Sequence, residues 1–455
     1  MIELPQSFIQ SVSCCKGFDE ESFREAHQKP APTSIRLNPF KPTELSFALN
    51  QPVPWSGNGF YLAERPNFTY DVLFQAGCYY VQEAGSMFIE QALKQCVDFN
   101  QPLVALDLCA SPGGKSTLIN SLLNAESVLV ANEVVKQRAE VLCQNLSKWG
   151  TSNVIVTNND PSSFSEMRNT FDVMLIDAPC SGSGLFRKQA DAVDEWSLDN
   201  VNLCSARQKR ILAEVIGSLK NQGILIYSTC SYSEQENEEI VDWLLTEFDL
   251  ETIQLTIDNN WGIVETESKI NKGFGYRFYP NRTQSEGFFC SALKKKTSTG
   301  SATNIEHFRK QKHDAFTEIK PAEKTVFNNW INTKSEQAVI KFKDDYLLTN
   351  ALAIDFINKN KQLYLKKVGT NLGMVIKNDL LPHHDLAWSV AVLSTVQTIN
   401  CSNEEALLYL KKELHHINGN KGWNLMCFEN LGIGWIKHLG NRFNNYFPSE
   451  YRILR

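Results

Sequence analysis

The 455-residue sequence has 12 cysteines but no Cys-x-x-Cys pair. Spacing of that kind organises zinc ribbons and many disulfide frameworks, so neither is expected and no metal site is read. No apolar run approaches the length needed to cross a bilayer, which removes the membrane as a partner. The opening Met1-Ile-Glu-Leu-Pro5 has neither a basic n-region nor an apolar h-region, so no secretory signal is read. A reducing cytoplasm, where free thiols persist, is the expected location. The pairs His383-His384 and His415-His416 have no Cys or acid at ligand spacing and read as surface residues. Net charge is −6, which alone speaks against a nucleic-acid partner. Its distribution points the other way. Residues 1–290 carry 22 Lys+Arg against 36 Asp+Glu, whereas residues 291–455 carry 23 against 15. A basic module attached to an acidic body fits that asymmetry. Hydrophobic residues make up 42% and charged residues 21%, the composition of an ordinary globular chain long enough for two to four domains.

From Pro102 to about Leu293, apolar runs alternate with helical patterns, the signature of a parallel sheet with crossover helices. Strands are expected at 102–107, 127–131, 153–157, 172–177 and 223–228, with weaker ones at 249–254 and 287–293. Helices are expected at 114–123, 134–148, 197–219 and 235–247, the last opened by the acidic run Glu234–Glu239. Upstream, residues 18–27 are amphipathic. Ser34-Ile-Arg-Leu-Asn-Pro39 reads as extended, ending before a proline. Arg36 and Asn38 there are either surface polars or contacts to phosphate and base.

The first central strand ends at Asp107, followed by Leu108-Cys-Ala-Ser-Pro-Gly-Gly-Lys-Ser-Thr117. This turn nearly matches the phosphate loop G-x-x-x-x-G-K-[ST], but Cys109 stands at its first glycine, so a wide anion nest is not supported. Gly113 and Gly114 still allow backbone to approach a ligand at a helix N-terminus. Acids recur at successive strand ends: Asp107, Glu133, Asp160 and Asp177. Glu133 is placed for the two hydroxyls of a ribose, and Asp160 for an adenine edge. Such an acid-lined nucleoside pocket suits a cofactor with a positive centre and no phosphates, and S-adenosylmethionine is the natural candidate.

Two thiols end strands of the same sheet, Cys180 in Asp177-Ala-Pro-Cys-Ser181 and Cys230 in Ser228-Thr-Cys-Ser231. Free cysteine is usually a small core residue, but each of these follows an apolar strand in a polar turn at the ligand-binding edge. Thiols beside a methyl sulfonium point to one reaction. Carbon 5 of a pyrimidine is a weak nucleophile until a thiolate adds at carbon 6. A carboxylic acid near ring N3, as Asp177 could provide, favours that addition for cytosine. The target base must leave its stack to reach such a site.

Cys109-Ala-Ser-Pro-Gly-Gly-Lys115, Asp177-Ala-Pro-Cys-Ser181 and Ser228-Thr-Cys-Ser231 resemble the signatures of the RNA 5-methylcytosine methyltransferase family, the Nol1/Nop2/Sun group. Arg36-Leu-Asn-Pro39, Val81-Gln-Glu-Ala-Gly-Ser86, Arg277-Phe-Tyr-Pro280 and Glu286-Gly-Phe-Phe289 look like its flanking motifs. The resemblance spans roughly residues 30–295. It implies that Cys109, Ala110, Ser111, Pro112, Gly113, Gly114, Lys115, Glu133, Asp160 and Asp177 hold S-adenosylmethionine. It also implies Cys230 as nucleophile, Cys180 as an aid to product release, and Lys115 as a further catalytic group beside Asp177. The implied fold is a Rossmann-like α/β methyltransferase with an N-terminal extension and a C-terminal PUA-like domain.

Lys294-Lys-Lys296 begins a linker through Ala302, and the expected division is 1–100, 101–295, 303–380 and 381–455. In the last part, Ser402-Asn-Glu-Glu405 reads as a capping box and residues 423–436 as a hairpin turning at Glu429-Asn430. With Gly440-Asn-Arg442 and the run 445–452 it resembles a PUA-like RNA-binding domain. Asn444 stands where the closing motif would carry Lys, which implies one missing phosphate contact. Whole-chain resemblance points to 16S rRNA, within the 30S subunit, as the partner. The same chemistry on tRNA or another rRNA site is the nearest alternative. A nucleotide hydrolase (from Gly114-Lys-Ser116) and a non-catalytic RNA-binding assembly factor are the alternatives from other classes.

Overall fold

Val104–Asp107, Val128–Asn132, Val154–Thr157, Phe171–Asp177 and Leu219–Thr229 form the centre of a ten-stranded sheet in a computed structural model. It describes residues 3–189, 191–297, 316–317 and 319–454. The first three of these strands are buried at every position, as expected where helices cover both faces of a parallel sheet. Helices Gly114–Leu122, Lys136–Trp149 and Leu198–Val215 make the crossovers. Val104–Asp107 lies between Val128–Asn132 on one side and Phe171–Asp177 on the other. The chain therefore reverses its winding direction there, and a crevice opens beyond the carboxyl ends of these two strands.

Antiparallel strands extend the sheet at both edges. Phe288–Lys295 pairs with Leu219–Thr229, followed outward by Phe274–Phe278 and Val264–Glu267, and Leu250–Thr252 also joins Phe288–Lys295. At the far edge, Leu365–Val368 pairs with Val154–Thr157. This short run lies outside the 102–293 stretch in which the sequence places the sheet. Two adjacent lysines in four residues hide its strand character, and tertiary pairing supplies it.

Three four-stranded sheets surround this body. The first contains Thr33–Leu37, where an extended segment was expected. The second is built from Gln337–Phe342, Asp345–Asn350, Thr370–Ile376 and Asp379–Pro382, and the third from Thr398–Asn400, Gly422–Phe428, Leu431–His438 and Phe443–Asn445. In the third, the hairpin turns at Glu429 and Asn430, both at positive φ, the twist a two-residue connection needs. Ser402 and Glu405 form the expected capping box of helix Asn403–Lys411. Residues 298–302 of the linker, and 303–315 of the stretch after it, lie outside the described residues. No helix among the described residues is long and apolar enough to cross a membrane.

Two expectations about polar residues are corrected. Arg36 and Asn38 are each only 2% exposed, so neither is a surface residue or free for RNA. Arg36 donates to Gln82 Oε1 at 2.9 Å, to the Gly114 carbonyl at 3.1 Å and to Thr117 Oγ1 at 2.5 Å. It braces the N-terminal sheet against the glycine turn. Asn38 donates to the Gly77 and Trp149 carbonyls. His384, expected at the surface, is buried against Trp388, Phe447 and Tyr451. Burial pulls its pKa down to about 3. His383, His415 and His416 are exposed.

Candidate active site

The two thiols expected at one sheet edge meet. Phe171–Asp177 and Leu219–Thr229 run parallel with Asp177 opposite Ser228, so the turns after them emerge side by side. Cys180 Sγ lies 3.0 Å from Cys230 Sγ, and both residues are half-buried. The hydrogen bond to Cys230, burial and the nearby Cys230 and Glu236 all push the Cys180 thiol pKa well up. A raised pKa favours the protonated form of Cys180, and either sulfur can donate in this contact. The Cys109 thiol pKa is also pushed up, by burial and by Asp107, Asp177 and Glu133.

Lys115 and Asp177 sit at the same edge. Lys115 Nζ donates to Asp177 Oδ2 at 2.7 Å, and Ser228 Oγ donates to Asp177 Oδ1 at 2.8 Å. Burial opposes the Lys115 charge, but Asp177 outweighs it, with Cys230 and Asp107 adding, and the pKa rises.

Behind the thiols lies the crevice of acids. Asp107 is wholly buried; Ser116 Oγ donates to its Oδ2 at 2.6 Å, while its Oδ1 has no partner. Burial pushes its pKa up to about 7; the Ser116 hydrogen bond and Lys115 oppose this, and Asp177 and Glu133 add to it. Glu133 is 3% exposed; it accepts from the Val135 amide and pairs with Arg138 at 3.3 Å. Gly113 caps helix Gly114–Leu122 at φ 111°, a conformation glycine adopts without strain. A Cβ on Gly114 would come within 3.2 Å of Tyr80. Ala110 is buried, Cys109 and Ser111 are half-buried, and Pro112 is exposed. Asp160 stands apart. The third strand ends at Thr157, and Asp160 is an exposed cap of the turn Pro161–Phe164, accepting from the Ser162 amide and hydroxyl.

The acidic run after Cys230 departs from expectation. The helix begins at Glu238, not 235, and Glu236, Asn237 and Glu238 are buried. Asn237 spans the thiol turn: Thr229 Oγ1 donates to its Oδ1 at 2.6 Å, and its Nδ2 donates to the Ser231 carbonyl at 2.8 Å. Glu238 pairs with buried Arg277, which donates from Nη1 to the Tyr232 carbonyl at 2.6 Å. Gly184 closes the other side. Its amide donates to the Cys230 carbonyl at 2.8 Å, and a Cβ there would lie 2.7 Å from that oxygen. Elsewhere, Cys14, Cys15 and Glu234 bring possible ligand atoms within 4.8 Å of one another, but Glu234 already accepts from Lys269 at 2.6 Å.

The chain matches known proteins. The family model for 16S rRNA methyltransferase RsmB/F matches residues 96–294, that for the N-terminal domain of 16S rRNA methyltransferase RsmF residues 4–84, and that for the methyltransferase RsmF PUA domain residues 396–453. Ribosomal RNA small subunit methyltransferase F of Shewanella oneidensis is 30% identical, over 99% of this chain and 97% of its own. The chain belongs to the RsmB/F family of 16S rRNA methyltransferases. Another RsmB/F relative, ribosomal RNA small subunit methyltransferase F of Aliivibrio salmonicida, is 28% identical over 99% of this chain and 98% of its own. A solved methyltransferase homologue from Pyrococcus horikoshii shares the RsmB/F fold at TM-score 0.54 and 29% identity, over 63% of this chain and 94% of that one. NSun6 from the same organism has the same fold at TM-score 0.52 and 18% identity, over 64% of this chain and 98% of its own.

Proposed function

We propose that this enzyme methylates carbon 5 of a cytosine in 16S rRNA, within the 30S subunit, through a transient bond between Cys230 and the base. The observation that carries this is the pair of sulfurs 3.0 Å apart beside the Lys115–Asp177 pair. The acid crevice fits S-adenosylmethionine as donor. Buried Asp107 Oδ1 lacks a partner and suits a cationic group, Glu133 suits ribose hydroxyls, and the turn from Cys109 to Lys115 offers a backbone cradle. Asp160, an exposed turn cap beyond the third strand, is left for the adenine edge. When bound, S-adenosylmethionine supplies an electrophilic methyl group.

The protein's part is as follows. Cys230 adds to carbon 6 while a proton reaches ring N3 from the Asp177–Lys115 pair, so carbon 5 gains the electron density it lacks. After methylation, the carbon 5 proton passes to water, the ring N3 proton returns to the Asp177–Lys115 pair, and the Cys230–carbon 6 bond breaks with its electron pair leaving on the Cys230 sulfur. Cys180 donates into the departing Cys230 thiolate and lowers the barrier to that break. The basic balance of residues 291–455 suits RNA phosphates. On the C-terminal sheet, Tyr446 is exposed and packs on Trp423, with Lys437 5.1 Å from the Trp423 ring. Asn444 pairs in register with that lysine.

Bisulfite mapping of rRNA from a deletion strain tests the substrate, and naked 16S rRNA assayed against 30S particles tests its form. An unchanged 16S pattern with altered tRNA would move the same chemistry to tRNA. The donor site has its own test. Asp107 must ionise to hold a cation, and its pKa of about 7 means it is neutral below that pH. Affinity for S-adenosylmethionine should therefore fall about tenfold per pH unit below pH 7 and level off above it. Calorimetric titration between pH 5.5 and 8.5 should show this slope in the wild type and none in Asp107→Asn.

A further inference from the structure

Glu236 is the only carboxylate among the described residues that binds both thiol-bearing turns directly. It lies six residues beyond Cys230 and is wholly buried. From the Cys180 turn, the Ser181 amide donates to Oε1 at 2.7 Å and Ser181 Oγ to Oε2 at 2.6 Å. From the Cys230 turn, Ser231 Oγ donates to the same Oε2 at 2.5 Å. Gln208 Nε2 donates to Oε1 at 3.4 Å and to the Pro179 carbonyl at 3.0 Å, so the clasp reaches back to the residue before Cys180. Each cysteine thus has a neighbouring serine fixed to one carboxylate. We propose that Glu236 is a positioning residue that clamps the two turns together and sets the Cys180–Cys230 sulfur contact.

A helix-opening glutamate ordinarily faces solvent and complements the helix dipole. Burying one without partners is costly, and four donors offset that cost here. Burial still pushes its pKa up, opposed by the same hydrogen bonds. Two of the four partners are hydroxyls, which can turn to accept from an amide; what an amide loses is the charge that strengthens all four bonds.

This inference rests on the proposed roles of the two thiols, but the clamp can be measured without RNA. Oxidised glutathione converts the two thiols into a Cys180–Cys230 disulfide and leaves as two reduced glutathione molecules. The equilibrium constant, read by mass mapping of peptides from the full-length enzyme, reports how closely the sulfurs are held. Glu236→Gln is expected to lower that constant at least tenfold and to lower kcat at least tenfold, with KM for 16S rRNA within twofold of wild type. Ser231→Ala should shift both in the same direction and have little further effect in the Glu236→Gln background; it also serves if Glu236→Gln does not fold. A glutathione equilibrium within twofold of wild type in both variants would overturn the clamp. If the equilibrium shifts but Cys230→Ser remains active, the clamp stands and the covalent reading of the reaction fails instead.

Discussion

Cys230→Ser should lower methyl transfer by at least about 10⁴-fold, the scale of losing a nucleophile, while S-adenosylmethionine binds as in the wild type. Serine keeps the shape of the turn but offers a hydroxyl that is barely ionised at neutral pH and adds poorly to an aromatic carbon. No neighbour can take over. Thr229 and Ser231 flank the sulfur, but both are buried, with Thr229 Oγ1 committed to Asn237 and Ser231 Oγ to Glu236. Binding should survive because the crevice is built on other elements: Asp107 ends one strand, Glu133 follows another, and the glycine turn begins a separate helix. Methyl incorporation into 16S rRNA and equilibrium binding of the donor, measured on one preparation, check both halves. Activity above about one per cent of wild type would remove Cys230 from the nucleophile's role.

The catalytic sheet was legible because its strands are short apolar runs buried on both faces, where burial and local propensity agree. The thiols were legible for a related reason: each is among the first polar residues after such a run. Their contact was not, because strand register and the two turns decide it. Glu236 was hidden by its company. An acidic run before an apolar helix is what a solvated N-terminus looks like, and only tertiary packing reveals that three of its members are buried. Arg36 shows the converse. Its motif was visible, but its role as a brace depends on Gln82 and the Gly114 turn, distant in sequence. The flanking motifs likewise brace one another: the Glu286 amide donates to Glu83 Oε1 at 2.8 Å. Asp160 shows how far strand-end acids can be read as one set. Asp107, Glu133 and Asp177 are near enough to perturb the same groups, whereas Asp160 lies past its strand and caps a turn.

Cys180→Ala should separate bond formation from bond cleavage. Cys230 keeps Lys115 nearby and still adds to the base, so the first half of the reaction proceeds. What is lost is the thiol 3.0 Å from the Cys230 sulfur, and with it the group that, in the proposed mechanism, stabilises that sulfur as it departs. Turnover is expected to fall about 10²-fold, within the range for losing a proton-donating group. The protein–RNA adduct should accumulate and become the main form of the enzyme. A denaturing gel resolves it as a band retarded by the mass of the RNA and abolished by ribonuclease. Cys180→Ala combined with Cys230→Ser should give no such band, because the bond needs the Cys230 sulfur. An adduct from Cys230→Ala, with none from Cys180→Ala, would reverse the two roles. That reversal would also require Cys180 to give up the proton that its surroundings hold so firmly, which makes the pair of gels a test of the site's electrostatics as well as its chemistry.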